Sequence, residues 1–436
     1  MNSTRHIAFI ATLIAAVSVA SQVTSAKEQL QQLQTALHEA HLRSDWPSYL
    51  KNSRSLKDFM NGAPDSVLQL MSAEAFAGNV DGALTEFKEY VRMGQANEDV
   101  LKLKQFDALR ANPQFAPIHK EMTANLTSIS RASKACSLGD STLLPEDIDY
   151  DPETKRFYIS SVLRKELLTS DMQGNTHLFA EAPDHWPMMA LKIDREHRIL
   201  WATEVALDGF TIVDQKDWGR SAILIYDLKS GKLLHRIEEP IHTALGDMTL
   251  TQDGDAILSD GDGGGIYRVR RETQQIERMD AGDFISPQTA AMLPAGKHIF
   301  VPDYARGIGI LDLNTKQVTW IPMQGRYALN GIDGLYLDGH TLIATQNGTS
   351  PERVIKFKLN DSLTRILSET IIERATPTLG DPTHGVVVRD AFYYIANSGW
   401  DTLDEHGSRK PGATPTAPLE HAWIMRTHAL FDGIGN

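Results

Sequence analysis

The stretches EDIDYDPETKRFYISS (146–161), GDMTLTQDGDAILSD (246–260) and DGLYLDGHTLIATQN (333–347) share one plan. A polar or small pair leads a strand, a tight turn follows, and a second apolar strand ends in small residues. Six such leads occur: Glu146-Asp147, Met189-Ala190, Gly246-Asp247, Gln288-Thr289, Asp333-Gly334 and His384-Gly385, at spacings of 43, 57, 42, 45 and 51 residues. A repeat of this length made of strands and turns predicts an all-β, six-bladed β-propeller. A sandwich or a parallel β-helix would not place polar leads at this period. In a propeller the six leads converge near one end of the central channel, which makes them site candidates before any chemistry is considered.

Working outward, strand-like runs such as RILWATEV, SAILIYDL, HIFVPDY and VIKFKL alternate with Asp, Gly, Asn and Pro turns from Leu144 onward. The propeller is expected over 140–430. Blade two carries an insertion near Leu207–Arg220, and blade six a Pro-rich loop, PGATPTAP (411–418), which cannot be a central strand. A last strand falls near Ala422–Thr427, and ring closure calls for a strand from near Cys136–Leu144 to join blade six. DGDGGG (260–265) lacks both the terminal Glu of an EF-hand and the Lys of a P-loop, and reads as a strand-to-strand turn.

Residues 27–132 read as a small all-α region. KEQLQQLQTALHEAHLRSDW (27–46) repeats Leu and Ala at three- and four-residue steps, and SVLQLMSAEAFAGNVDGALTEFKEYVRMG (66–94) reads as two helices joined at Gly78-Asn79. This stretch resembles a degenerate tetratricopeptide repeat. Too few units are present for a self-sufficient solenoid, so the helices should pack on the rest of the protein, as a cap or as a surface for a protein partner.

The first 26 residues read as a signal peptide: Arg5 and His6, an apolar run of 14 residues at Ile7–Ala20, and small residues at Thr24-Ser25-Ala26. The expectation is a periplasmic or secreted bacterial protein, with no membrane attachment after cleavage. An uncleaved anchor or a buried helix is the alternative. A net charge of −13 without a basic tract argues against nucleic acid as a partner. The single cysteine, Cys136, excludes an intrachain disulfide and a cysteine zinc cluster. No Gly-x-Ser-x-Gly elbow and no His-Glu-x-x-His motif is present.

PEDIDYDPETKRFYISSV (145–162), NGIDGLYLDGHTLIATQNG (330–348) and PTHGVVVRDAFYYIANS (382–398) resemble the regucalcin/gluconolactonase (senescence-marker-protein-like) family of six-bladed propellers. More distantly they resemble the paraoxonase and strictosidine-synthase propellers. The resemblance implies a divalent cation on the axis, commonly calcium, that polarises the carbonyl of a lactone or related ester. Its ligands in that family are a first-blade Glu, middle-blade Asn residues and a later Asp. Glu146 and Asp333 match the first and last of these. The middle positions fall on Gly246, followed by Asp247, and on Gln288.

A hard cation wants six to eight oxygens, which Glu146, Asp247, Gln288 and Asp333 could supply in part, with water completing the shell. Acids converging on one channel repel each other without a cation. The bland reading is that Asp147 and Asp247 bond turn amides at strand starts. His384 leads the sixth blade and is the candidate base, or else a hydrogen-bonded core histidine. Asn330 and Asn397 are candidates to orient a small-molecule ligand at the axis, and Trp186, Met188, Met189 and Tyr304 to form an apolar wall. The sequence thus supports a calcium-dependent lactonase or esterase, or a non-catalytic ligand- or protein-binding propeller.

Overall fold

In the computed structural model, which describes residues 24–238, 242–410 and 422–428, strands within each repeat pair antiparallel with their neighbours in sequence. Six sheets result, five of four strands and one of five. The inner strands are Pro145–Asp151, Met188–Asp194, Leu245–Leu250, Ala291–Met292, Gly334–Asp338 and Gly385–Val388. They touch in cyclic order, and the sixth meets the first, so the ring is closed. The fold is a six-bladed β-propeller preceded by an N-terminal helical region of about seven helices.

The apolar residues of each strand pack against the next blade. One core cluster lies at each of the six blade interfaces: Phe157 and Ile395 between blades 6 and 1, Leu167 and Leu224 between 1 and 2, and Phe357 with Phe300 between 4 and 5. Each fully buried side chain of this size contributes roughly 1.5–3 kcal/mol relative to exposure.

Blade 6 is completed by Ser133–Ser137, which pairs with Trp423–His428. The closing strand therefore lies earlier than the expected Cys136–Leu144. Asp140 ends it by accepting from the Thr142 amide at 2.8 Å, and Leu143 and Leu144 turn into the core. Ile129–Ser130 adds a fifth strand to blade 5. The blade 2 insertion and the 260–265 turn occur as expected, the latter held by Gly263 N–H donating to Asp260 Oδ1 at 2.7 Å. The segment 1–23 and the Pro-rich loop at 411–418 lie outside the described residues.

Helices α1 (Ala26–Leu42), α2 (Trp46–Phe59), α3 (Pro64–Phe76) and α4 (Val80–Arg92) each pack on the next. Gly78, at φ +75°, makes the left-handed turn between α3 and α4, and the Asn79 side chain caps α4 by accepting from Gly82 N–H. The helices sit on the loops at the upper end of blades 4 and 5, the end where inner strands begin. Arg353, fully buried, donates to the Met93 and Gly94 carbonyls just past α4, and Ala96 N–H donates to Ser350 O at 2.6 Å. Arg306 Nε donates to Phe59 O at 3.0 Å. No helix among the described residues is long and apolar enough to cross a membrane.

Candidate metal centre at the upper end of the channel

The two-residue leads are β-bulges in at least three blades. In blade 1 the register passes from Pro145↔Ser161 to Ile148↔Ile159, so Glu146 and Asp147 share the space opposite Ser160. The same happens to Met189 and Ala190 opposite Thr203, and a shift occurs at Gly246 in blade 3. A bulge frees an amide from the ladder and re-aims a side chain. Strand-end hydroxyls satisfy such amides: Ser160 accepts from Asp147 N–H at 2.9 Å and Thr203 from Ala190 N–H at 3.1 Å. In blade 5, Thr345 likewise accepts from Gly334 N–H at 3.0 Å. These hydroxyls are the small residues that close each repeat in sequence, although their role was not read from it.

The inner-strand starts of blades 1, 5 and 6 bring together Glu146, Asp333 and His384, all buried, with one ligand atom of each within 4.8 Å of the others. This group could hold a metal ion. His384 Nδ1 donates to the Glu146 carbonyl at 3.0 Å, and Nε2 faces Asp247 Oδ1 at 2.8 Å and Asp333 Oδ1 at 3.9 Å. Thr289 Oγ1 donates to the same Asp247 oxygen at 2.6 Å. Asn347 Nδ2 donates to Asp333 Oδ2 at 3.0 Å, and Tyr304 OH to Asn347 Oδ1 at 3.0 Å. The Trp400 indole N–H donates to Glu146 Oε2 at 2.5 Å.

Burial and the neighbouring Asp333 raise Glu146 well above the ordinary carboxylate range. Burial, with Asp247 and Asp147 nearby, pushes Asp333 up to about 6. Burial pulls His384 downward, but Asp333, Asp247 and Asp147 outweigh it and hold the imidazole well above its usual value. An imidazolium donating from both nitrogens fits this geometry.

Of the other candidates, Asn330 is 6% exposed and its Oδ1 has no hydrogen-bond partner. Gln288 turns its amide to Ser286 Oγ at 3.1 Å, and it is Thr289, its neighbour, that contacts Asp247. Asn397 sits at φ 54° at the end of the second strand of blade 6, its N–H on Leu379 O at 2.7 Å. Trp186, Met188 and Met189 belong to three separate core clusters rather than to one wall. Two half-buried acids come from connecting loops that the repeat does not index. Burial and Glu352 push Asp381 up to about 8, and burial with Asp401 pushes Glu352 up to about 7.

No family model matches this sequence, and no curated protein matches it. Among solved structures, the chain is similar to the PQQ-bound form of an aldose sugar dehydrogenase from Streptomyces coelicolor, at 11% identity and a TM-score of 0.46, over 69% of this chain and 99% of that one. It is similar to a gluconolactonase from Xanthomonas campestris, at 15% identity and a TM-score of 0.45, over 69% and 96%. It is also similar to a luciferin-regenerating enzyme, at 15% identity and a TM-score of 0.47, over 69% and 95%. These distant likenesses concern the propeller, which the strand pairing already defines.

Proposed function

We propose that the upper end of the channel binds a divalent cation, calcium by its oxygen-rich donors, and hydrolyses a lactone or related ester there. The supporting observation is the buried Glu146–Asp333–His384 group, whose two carboxylates face no Lys or Arg among the described residues. The donor set fits a hard cation: Glu146, Asp333 and Asp247 offer carboxylate oxygens beside His384. When bound, such a cation polarises a carbonyl and lowers the pKa of water. Within the chain, Glu146 and Asp333 hold position through Trp400 and Asn347. His384, its Nδ1–H fixed on the Glu146 carbonyl, uses Nε2 to take a proton from water once that nitrogen is unprotonated. Gln288, whose amide nitrogen donates to Ser286 Oγ, keeps its Oε1 as a further candidate donor. Export to the periplasm and a tetratricopeptide-like protein contact through the helices complete the proposal.

Melting of the purified protein in calcium and in chelator tests it. A bound cation stabilises by roughly 2.7 kcal/mol at 100 times its dissociation constant. The wild type should lose that increment in chelator, and Glu146→Gln/Asp333→Asn should show none. His384→Ala should keep the increment and lose about 10²–10⁴-fold in lactone hydrolysis. An unchanged wild-type melting curve would leave a non-catalytic binding propeller, in which the His384 imidazolium itself neutralises Asp247 and Asp333.

A further inference from the structure

Glu146 reaches the axis from blade 1, yet its carboxylate accepts a hydrogen bond from a residue 254 positions away. Trp400 stands on a short turn, Trp400–Thr402, in the loop after the second strand of blade 6. Gly399 precedes it at φ +98°, a backbone conformation that swings the indole back toward blade 1 and that a side chain would strain. The ring packs in one apolar cluster with Leu144, Met189 and Phe210, its centroid 6.1 Å from that of Phe210. Phe210 belongs to the blade 2 insertion. That insertion is tied to the blade 6 loop a second time, where Thr211 N–H donates to His406 O at 3.0 Å.

The two loops therefore meet beside the channel mouth, and the indole that seals their contact also holds a carboxylate of the candidate centre. An N–H on Oε2 restrains the rotamer of Glu146, whose carboxylate lies in one group with Asp333 and His384. Partners of this kind behind a metal-ligating carboxylate carry 10–100-fold in metal affinity when removed.

We propose that Trp400 is the positioning residue for Glu146, so that cation binding at the axis is linked to docking of the blade 6 loop on the blade 2 insertion. The linkage rests on the cation reading above; the indole–carboxylate bond does not. The full chain contains seven tryptophans, and ¹⁵N-indole NMR resolves them. One indole proton should lie far downfield, vanish in Trp400→Phe and move in Glu146→Gln. Calcium affinity should fall about 10–100-fold in Trp400→Phe and by a smaller factor in Phe210→Ala, with melting in chelator near wild type for both. Calcium added to the wild type should shift the indole signal of Trp400. Equal calcium affinity in wild type and Trp400→Phe overturns the inference and leaves the cation site standing. A wild type that does not respond to calcium overturns the cation reading and the linkage together. The absence of a Glu146-dependent indole shift overturns the positioning role whatever calcium does.

Discussion

Four acids occur within six residues of the inner strand of blade 1, and they meet two different fates. Asp147, Asp149 and Asp151 form a ladder to blade 2: Asp147 to Lys192 at 2.6 Å, Asp149 to Arg195 at 2.8 Å and Asp151 to Arg198 at 2.8 Å. Asp147 and Asp149 also accept from Leu191 N–H and Ile193 N–H, at 2.9 and 2.8 Å. Glu146 has no Lys or Arg partner among the described residues; its neighbours are an indole, the His384 imidazole and further carboxylates. The ladder is a blade-to-blade fastening. The acid at the tip of the same strand is the one the fold leaves without a Lys or Arg, sharing one histidine with Asp333, which is where a charged ligand has something to gain.

The largest way to break this comparison is to empty the ladder. Asp147→Ala leaves the Lys192 ammonium, 13% exposed, without its carboxylate and removes the acceptor of Leu191 N–H. Stability measured by urea unfolding should fall by about 3–5 kcal/mol, the usual effect of orphaning a buried charge. The double change Asp147→Leu/Lys192→Met should recover most of the loss. A cost below about 1 kcal/mol for the single change would mean that the ladder does not fasten the blades.

Glu146→Gln should act in the opposite direction. In chelator at pH 8 it removes a buried carboxylate that lies beside Asp333, and unfolding should become harder by about 1 kcal/mol, as when a strained functional group is relieved. Destabilisation by the same change would place Glu146 with the structural acids.

One acid of the ladder, Asp151, and one of the site, Asp333, carry opposite pH signatures. The Arg198 hydrogen bond holds Asp151 well below the ordinary carboxylate range. Its contribution is present above that range and is lost as pH falls toward the folded-state value. Asp333, pushed up by burial to about 6, binds its proton more tightly folded than unfolded. Its contribution is full below about pH 4 and is lost as pH rises through about 6. In chelator, Asp333→Asn should flatten the decline in urea midpoint between about pH 4 and 7. Asp151→Asn should flatten only the acid limb. The same slope in all three proteins would contradict both assignments.

The propeller was legible because its signal is periodic: alternating strands, turns and leads recur, and six blade interfaces then bury the apolar faces. Which residue of each lead turns to the axis was not legible. In blades 1, 5 and 6 the first residue does so, as Glu146, Asp333 and His384. In blade 3 the second residue, Asp247, faces His384, and in blade 4 the second residue, Thr289, donates to Asp247. The choice depends on where a bulge shifts the register, between Pro145 and Ile148 in blade 1 but between Leu245 and Asp247 in blade 3. Composition does not encode that shift. Trp400, Asp381 and Glu352 lie in connecting loops, outside the repeat frame, and had no periodic signal to betray them. The basic partners Lys192, Arg195 and Arg198 did have one, since they follow their acids by 45, 46 and 47 residues. That regular offset separates fastening acids from Glu146 on sequence alone.

The smallest expected effect sharpens what the comparison rests on. Arg198 faces two acids at once. Its Nη1 and Nη2 donate to the two oxygens of Asp151 at 2.8 and 2.9 Å, and its Nε lies 3.4 Å from Glu153 Oε2. Asp151 is buried, whereas the Glu153 side chain is 73% exposed. Water screens the second pair, and holding a long exposed side chain costs entropy that offsets the attraction. Glu153→Gln should therefore stay within about ±0.5 kcal/mol of wild type by urea unfolding, while Asp151→Asn costs several times more through the same guanidinium. If Glu153→Gln cost as much as Asp151→Asn, pairing alone would set the value of an acid on this face. Burial would then not be what distinguishes the ladder, and the lack of a Lys or Arg beside Glu146 would lose its meaning as a marker of the site.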